Sequence, residues 1–261
     1  MILLPFNEIK CDQKKIDEIN HIVKSTYRLI TFCRRHFADD LLDTFLSNTT
    51  NLQELLSIKN AQMEAQNEEE AAIYTENLNT TLNFIIGELK RQVNFRSELQ
   101  LFQLFRLTSP ESHEQHPNKY RNNHVQIGNY FCPPPAEIPY LIAELFYNMK
   151  KITNPLIKCI YFHHELIRIH PFVDGNGRTT RIAKNWMLMY ELYPPIFIRN
   201  EEEKKEYIYT LSRSFSNLNK NQGKWNPFVN DFFNQEIRRL KDNAKIVHDA
   251  VKNLGEQRQQ V

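Results

Sequence analysis

The sequence predicts an all-α fold, a helical bundle carrying one short β-hairpin at its surface. Three observations predict it. Apolar residues recur at three- and four-residue spacing along most of the chain, as the buried stripe of a helix requires. A single segment, HVQIGNYF, alternates as an extended strand does, and one hairpin cannot build a sheet core. Proline and glycine fall at the ends of the helical runs, where breakers belong.

Residues 12–38 carry Ile16, Ile19, Ile22, Val23, Tyr27 and Ile30 at helical spacing, so a first helix is expected there. SNTTNLQELLSI sets capping chemistry ahead of Leu52, Leu55 and Leu56, and a second helix is expected to begin there. Residues 66–92 open on NEEEAA and stay apolar through Leu82, Phe84, Ile85, Ile86 and Leu89. Glu68, Glu69 and Glu70 suit the positive end of the helix dipole and read as a solvated helix start. LTSPESHEQHPNKYRNN is expected as polar loop, and HVQIGNYF as part of a surface flap. CPPPAEIP ends regular structure before a helix over 137–151.

NPLIKCIYFHHELIRIH is a strongly apolar helix that stops at His170, because the residue before Pro171 is pushed out of helical geometry. RTTRIAKNWMLMYEL resumes as a buried helix and YPP stops it. EEEKKEYIYTLSRSF and NPFVNDFFNQEIRRLKDNAKIVHDAV supply two more helices, and GEQRQQV is expected to fray. The chain divides into an N-terminal helical annex (1–110), a core (111–245) and a helix end with its tail (246–261).

Charge and cysteine content exclude several classes. Thirty-three basic residues against 31 acidic leave a formal net charge of +2, so no electrostatic footprint for nucleic acid is present. Cys11, Cys33, Cys132 and Cys159 are far apart, which supports neither a zinc ribbon nor a thioredoxin-type site. They read as small core residues in a reducing compartment. MILLPFNEIK has too short an apolar run and no basic flank for a secretory signal, and no stretch approaches a membrane span. The expected location is the cytoplasm, with no membrane partner; export by a dedicated secretion machine would leave no mark here.

The chemistry concentrates in IRIHPFVDGNGRTTR, which holds two of the six glycines. Glycines just ahead of a helix let backbone N–H groups converge, and the helix N-terminus adds positive character, so the pair makes an anion nest suited to phosphates. Arg178 and Arg181 share one face of the new helix and can grip phosphate oxygens. Asp174 offers a hard oxygen to a divalent cation. His170 is the group that can take a proton near neutral pH. His163 and His164 lack an acidic partner at metal-site spacing and are expected in the core.

HPFVDGNGRTTR resembles the signature of the Fic-domain family, and the string fixes nine positions. YRNNHVQIGNYFCPPPAEIP is similar to that family's flap and Pro-rich turn, and YPPIFI and NPFVNDFF to later segments, so the resemblance covers about 115–240. It implies a Fic-type bundle and a protein adenylyltransferase that moves AMP from Mg·ATP onto a Tyr, Thr or Ser hydroxyl of a target protein. His170 would then be the general base, Phe172 an inward anchor and Asp174 the Mg²⁺ ligand. Gly175, Asn176 and Gly177 would form the anion hole, while Arg178 and Arg181 would bind the outer phosphates. Val125, Gln126, Ile127, Gly128 and Asn129 would dock the target as an edge strand. Tyr207 and Leu211 fall where the family has residues near the base, and a core role serves them equally well.

The resemblance also sets alternatives: transfer of UMP, phosphocholine or phosphate, removal of AMP, or a nucleotide-binding regulatory or toxin–antitoxin partner. Self-modification and self-association are compatible with it. Family members with an annex carry a self-inhibiting Ser/Thr-x-x-x-Glu-Gly/Asn helix whose Glu pairs with the second motif arginine. Thr50-Asn-Leu-Gln-Glu54 has the spacing but is followed by Leu55, so it reads as a degenerate copy, with Thr50 and Glu54 at a helix start. The expectation is a site less restrained than the family's, or one restrained by another chain.

Overall fold

A computed structural model of the chain describes residues 1–36, 57–220 and 223–257. Its first long helix is α1 (Gln13–His36), and after helical residues 57–62 come α2 (Glu68–Lys90), α3 (Glu98–Thr108) and α4 (Pro110–Gln115). The hairpin follows as β1 (Gln126–Ile127) and β2 (Tyr130–Phe131), then α5 (Ile138–Lys151), α6 (Pro155–Ile169), α7 (Asn176–Tyr190), α8 (Glu201–Lys220) and α9 (Pro227–Gln257). Strand and helix boundaries follow local chemistry. Asn67 caps α2 by accepting from the Glu70 amide at 2.9 Å, and its acidic first turn meets the dipole as expected. Asn154 accepts from the Leu156 and Ile157 amides at 3.0 and 3.2 Å, with Pro155 in the first turn of α6.

The pair α6 and α7, joined by the loop 170–175, packs together at the centre. α5 packs on α6, α3 on α7, and the α8–α9 pair closes one side with α1 laid along α9. α6 is buried almost all round, so its polar residues must find partners inside. Glu165 forms a buried ion pair with Arg168, and His164 bridges Glu165 and Ser214. His163 meets the Tyr207 hydroxyl at 2.9 Å, so both histidines and Tyr207 belong to the core, as does Leu211. Trp186 of α7 packs against Phe84 and Phe95, and its indole N–H donates to the Val93 carbonyl at 3.0 Å.

The stretch expected as unbroken polar loop contains α4, because Ser109 precedes Pro110 at the first helical position and Glu111 occupies the first turn. The hairpin strands are two residues each, pairing Gln126 with Phe131 and Ile127 with Tyr130. Gly128, at φ +57°, supplies the positive φ that a two-residue turn needs. α9 continues to Gln257, past the point where the tail was expected to begin. Cys11, Cys132 and Cys159 are free thiols, the last two buried. Among the described residues, no helix is long and apolar enough to cross a membrane.

Candidate active site

His170 caps α6 in the left-handed region (φ 51°, ψ 62°), with its amide still bonded to the Leu166 carbonyl at 3.0 Å. Pro171 forbids the right-handed helical conformation to its predecessor, so the chain leaves the helix here, and a non-glycine residue carries the strain. The imidazole is mostly buried, and burial lowers its pKa to about 4, helped by the Arg121 charge. Glu64, Asp174 and the Ile167 carbonyl act in the opposite sense without offsetting it. The ring is therefore neutral at pH 7, able to accept a proton.

The loop after it is closed by Asn176. The Asn176 side chain accepts from the Phe172 amide at 2.9 Å and donates to the Phe172 carbonyl at 2.8 Å. Its amide group is thus committed to the loop, and only its main chain faces the nest. Phe172 is 1% exposed and stacks on Phe105 with ring centres 4.0 Å apart. Gly175 has φ +69°, and a Cβ there would meet Ser109 Oγ at 1.8 Å, so both conformation and space require glycine. The first intrahelical bond of α7 runs from the Thr179 amide to the Gly175 carbonyl, leaving the amides before it available to an anion. Thr108 meets Thr179 at 2.7 Å and ties the end of α3 to this first turn.

Arg178 and Arg181 are both buried, and both are met by Glu64. Glu64 Oε2 lies 3.1 Å from Arg178 Nη1 and Glu64 Oε1 lies 2.9 Å from Arg181 Nη2. A Cβ on Gly177 would stand 1.9 Å from Glu64 Oε1, so this carboxylate rests on the N-terminus of α7. Arg181 Nε also donates to Asn60 Oδ1 at 2.8 Å. Arg178 donates to Asp174 Oδ2 at 2.8 Å and to Ser109 Oγ at 3.1 Å, and its guanidinium lies 3.7 Å from the centre of the Tyr74 ring. Burial works against the Arg178 charge, yet Glu64 and Asp174 outweigh it and hold its pKa above the usual value.

The structure thus brings His170, Phe172, Asp174, Gly175, Asn176, Gly177, Arg178 and Arg181 around one helix N-terminus. Thr50 and Glu54 lie outside the described residues; the carboxylate that meets the second arginine is Glu64, so the N-terminal part of the chain does supply an acid to this site. Asn60 and Glu64 keep the four-residue spacing sought at Thr50 and Glu54, with Asn in place of Ser/Thr and Ala65 in place of Gly/Asn. A pattern relaxed at both the first and the last position would have found them. Tyr74, Ser109 and Arg121 carry no comparable sequence signal.

The flap residues are more open. Val125 and Ile127 are half-buried, whereas Gln126, Gly128 and Asn129 are exposed, and Phe131 is 70% exposed. Tyr130 turns inward against Phe215 of α8, and the Cys132 amide bonds the Val125 carbonyl at 3.0 Å. Among the described residues, no three or more His, Cys, Asp or Glu side chains cluster as a metal cage. Asp174, with 56% of its side chain exposed, stands alone as the loop's carboxylate.

Residues 98–188 match the model of the Fic/DOC family. Over 115 residues the chain is 35% identical to the protein adenylyltransferase Fic of Drosophila persimilis, covering 42% of this chain and 21% of that protein. Over 156 residues it is 28% identical to the namesake from Culex quinquefasciatus, covering 58% and 30%. The chain therefore spans less than a third of the length of these curated relatives. Its fold is similar to a Fic domain containing signaling protein from Bacteroides thetaiotaomicron, with a TM-score of 0.72, 18% identity, and coverage of 90% and 97%. It is also similar to Fic-1 from C. elegans, with a TM-score of 0.64, 14% identity, and coverage of 93% and 74%. The Fic2 domain of IbpA, in complex with adenylylated Cdc42, gives 0.56 at 16% identity, with coverage of 90% and 71%.

Proposed function

From the premise that the chain is a Fic-domain protein of the Fic/DOC family, we propose that it is a protein adenylyltransferase, moving AMP from ATP to a hydroxyl side chain of another protein. The observation that carries this reading is one neutral, mostly buried imidazole at the mouth of a loop whose far end is a helix N-terminus flanked by two arginines. Binding phosphates needs the nest and the arginines; only a reaction needs the base. The names of the curated relatives and the adenylylated partner in the IbpA complex agree with it.

In this reading the amides of 175–177 and the Arg178 and Arg181 side chains clasp the triphosphate. The target is held along β1, whose outer edge offers main-chain groups for strand addition. Its Tyr, Thr or Ser oxygen bonds to the α-phosphorus, the bond to the β-phosphate breaks, and pyrophosphate leaves. His170 takes the hydroxyl proton. The phosphates' own charge raises the His170 pKa toward working pH, which improves it as a base. Positioning and charge neutralisation supply most of the acceleration.

Asp174 fits Mg²⁺ of the kind bound with nucleotides, which takes one or two carboxylates, phosphate oxygens and water rather than a protein cage. It presents one oxygen to Arg178, and 56% of its side chain is exposed, which leaves the carboxylate open to an ion. Bound there, Mg²⁺ would neutralise phosphate charge. Glu64 occupies the arginines that the outer phosphates need, so the resting chain is restrained by its own annex. We read residues 1–110 as that annex and 111–245 as the catalytic core, with α3 packed on α7 across the boundary. A cytoplasmic site of action belongs to the same reading.

The test is incubation of the Glu64→Gly chain and a cell lysate with α-labelled or γ-labelled ATP, followed by intact-mass analysis. AMP transfer leaves the α-label on protein and adds one AMP mass; a labelled band at the chain's own mass reports self-modification. Retention of the γ-label instead would mean phosphate transfer. Protein without either label would leave the site with binding alone.

A further inference from the structure

Arg121 stands outside the motif and is bonded to both sides of the site. Its side chain is 2% exposed, and among the described residues no carboxylate acts on its charge. Nε donates to the His170 carbonyl at 2.7 Å and Nη2 to the Ile169 carbonyl at 3.3 Å. These are the last carbonyls of α6, which lack intrahelical partners and lie at the negative end of the helix dipole. Nη1 donates to the Asn123 carbonyl at 2.6 Å and Nη2 to the Pro133 carbonyl at 2.7 Å. Asn123 and Pro133 bracket the flap. The Arg121 amide adds a bond to the Pro171 carbonyl at 2.8 Å.

A buried guanidinium without a counter-ion is costly unless its N–H groups are bonded, and here four of five are, all to main-chain oxygens. The planar fork spans two segments at once; an ammonium, a point charge on one stem, cannot reproduce that spread. We propose that Arg121 is a positioning residue that joins the flap and the His170-bearing backbone into one unit, fixing where a docked target presents its hydroxyl relative to the base. Its mechanical half stands on these hydrogen bonds, and its functional half rests on the adenylyltransferase reading.

Arg121→Lys keeps the charge and loses the fork; Arg121→Gln loses both. Hydrogen exchange on the full chain should show amides of 124–132 exchanging about tenfold faster in both variants, with the interior of α6 and α7 unchanged. The His170 ring, titrated by NMR, should move to a higher midpoint in Arg121→Gln and stay in Arg121→Lys; the other charges acting on it, Glu64 and Asp174, are the same in both. Label transfer from α-labelled ATP should fall about 10²-fold in Arg121→Lys while nucleotide affinity is unchanged. Unchanged flap exchange, exchange raised equally through α6 and α7, or undiminished transfer overturns the proposal. If Arg121→Gln does not fold, Arg121→Lys carries the exchange and transfer arms. If the unsubstituted chain and Glu64→Gly both transfer no label, the adenylyltransferase reading fails, and flap exchange alone decides the coupling.

Discussion

At Glu64 a partly exposed carboxylate, with 26% of its side chain in solvent, meets two guanidiniums that have almost none. Most of the desolvation cost therefore falls on the arginines, which need an anion whether or not Glu64 provides it. Glu64→Gly should make the chain bind ATP about tenfold more tightly, equivalent to about 1.4 kcal/mol, because a phosphate then meets no competitor. Titration calorimetry checks this, and equal affinity in both proteins would remove Glu64 from the account. His170→Ala should lower AMP transfer by about 10²–10⁴-fold with ATP affinity retained. The motif was legible in sequence because its nine positions are local, crowded into twelve residues with a proline break and two glycines between two helical runs. Glu64 was not, since its partner Arg181 lies 117 residues away and only folding brings the two together.

The loop between α6 and α7 holds its shape through the side chain of Asn176, a residue expected to form part of the anion hole. Asn176→Ala removes both bonds to Phe172 and leaves a buried amide and carbonyl without partners, so the chain should lose about 3 kcal/mol of stability. Asn176→Asp keeps the acceptor and should lose less. Urea unfolding at pH 7 ranks the three proteins, and an Asn176→Ala midpoint equal to the parent's would show that the loop is held elsewhere. Helix legibility followed apolar stripe length. α6 and α7 announced themselves through long apolar runs, whereas α4 has six residues and no buried stripe, so its Ser-Pro-Glu start had no periodic signal behind it. The hairpin's alternation was visible, but strands of two residues are set by packing of Tyr130 on Phe215, which no local pattern encodes.

Across the whole molecule, the helical core encloses charge. Lys184 donates to Glu236 at 2.6 Å and Arg239 to the same carboxylate at 2.8 Å, all three buried. Burial lowers the pKa of His163 to about 3 and of His170 to about 4, and also depresses His164. The unfolded chain takes up a proton on each near pH 6.5 that the folded chain refuses. Stability is thus complete above that pH and falls on acidification by about 1.4 kcal/mol per pH unit for each histidine. Below the ordinary carboxylate range Glu165 adds to the loss: burial opposes its charge, but Arg168 and His164 hold its pKa at about 2. Urea midpoints at pH 7, 6 and 5 should decline steeply; a flat series would mean that these rings take up protons in the fold as readily as in the unfolded chain. Helix periodicity made the fold class readable from sequence, while the contacts of Asn60, Glu64 and Tyr74 with the arginines of α7 arise only in three dimensions.

On the adenylyltransferase reading, the carboxylate over Gly177 amounts to a tethered competitor, present at a local concentration set by the chain rather than by the cell. On that reading an incoming triphosphate must displace it, so the nucleotide's apparent dissociation constant is the intrinsic one divided by the fraction of molecules with the acid swung away. Shifting that fraction, through whatever pulls residues 57–64 off the arginines, would retune the set-point at which nucleotide is captured without altering a single group that touches the α-phosphorus.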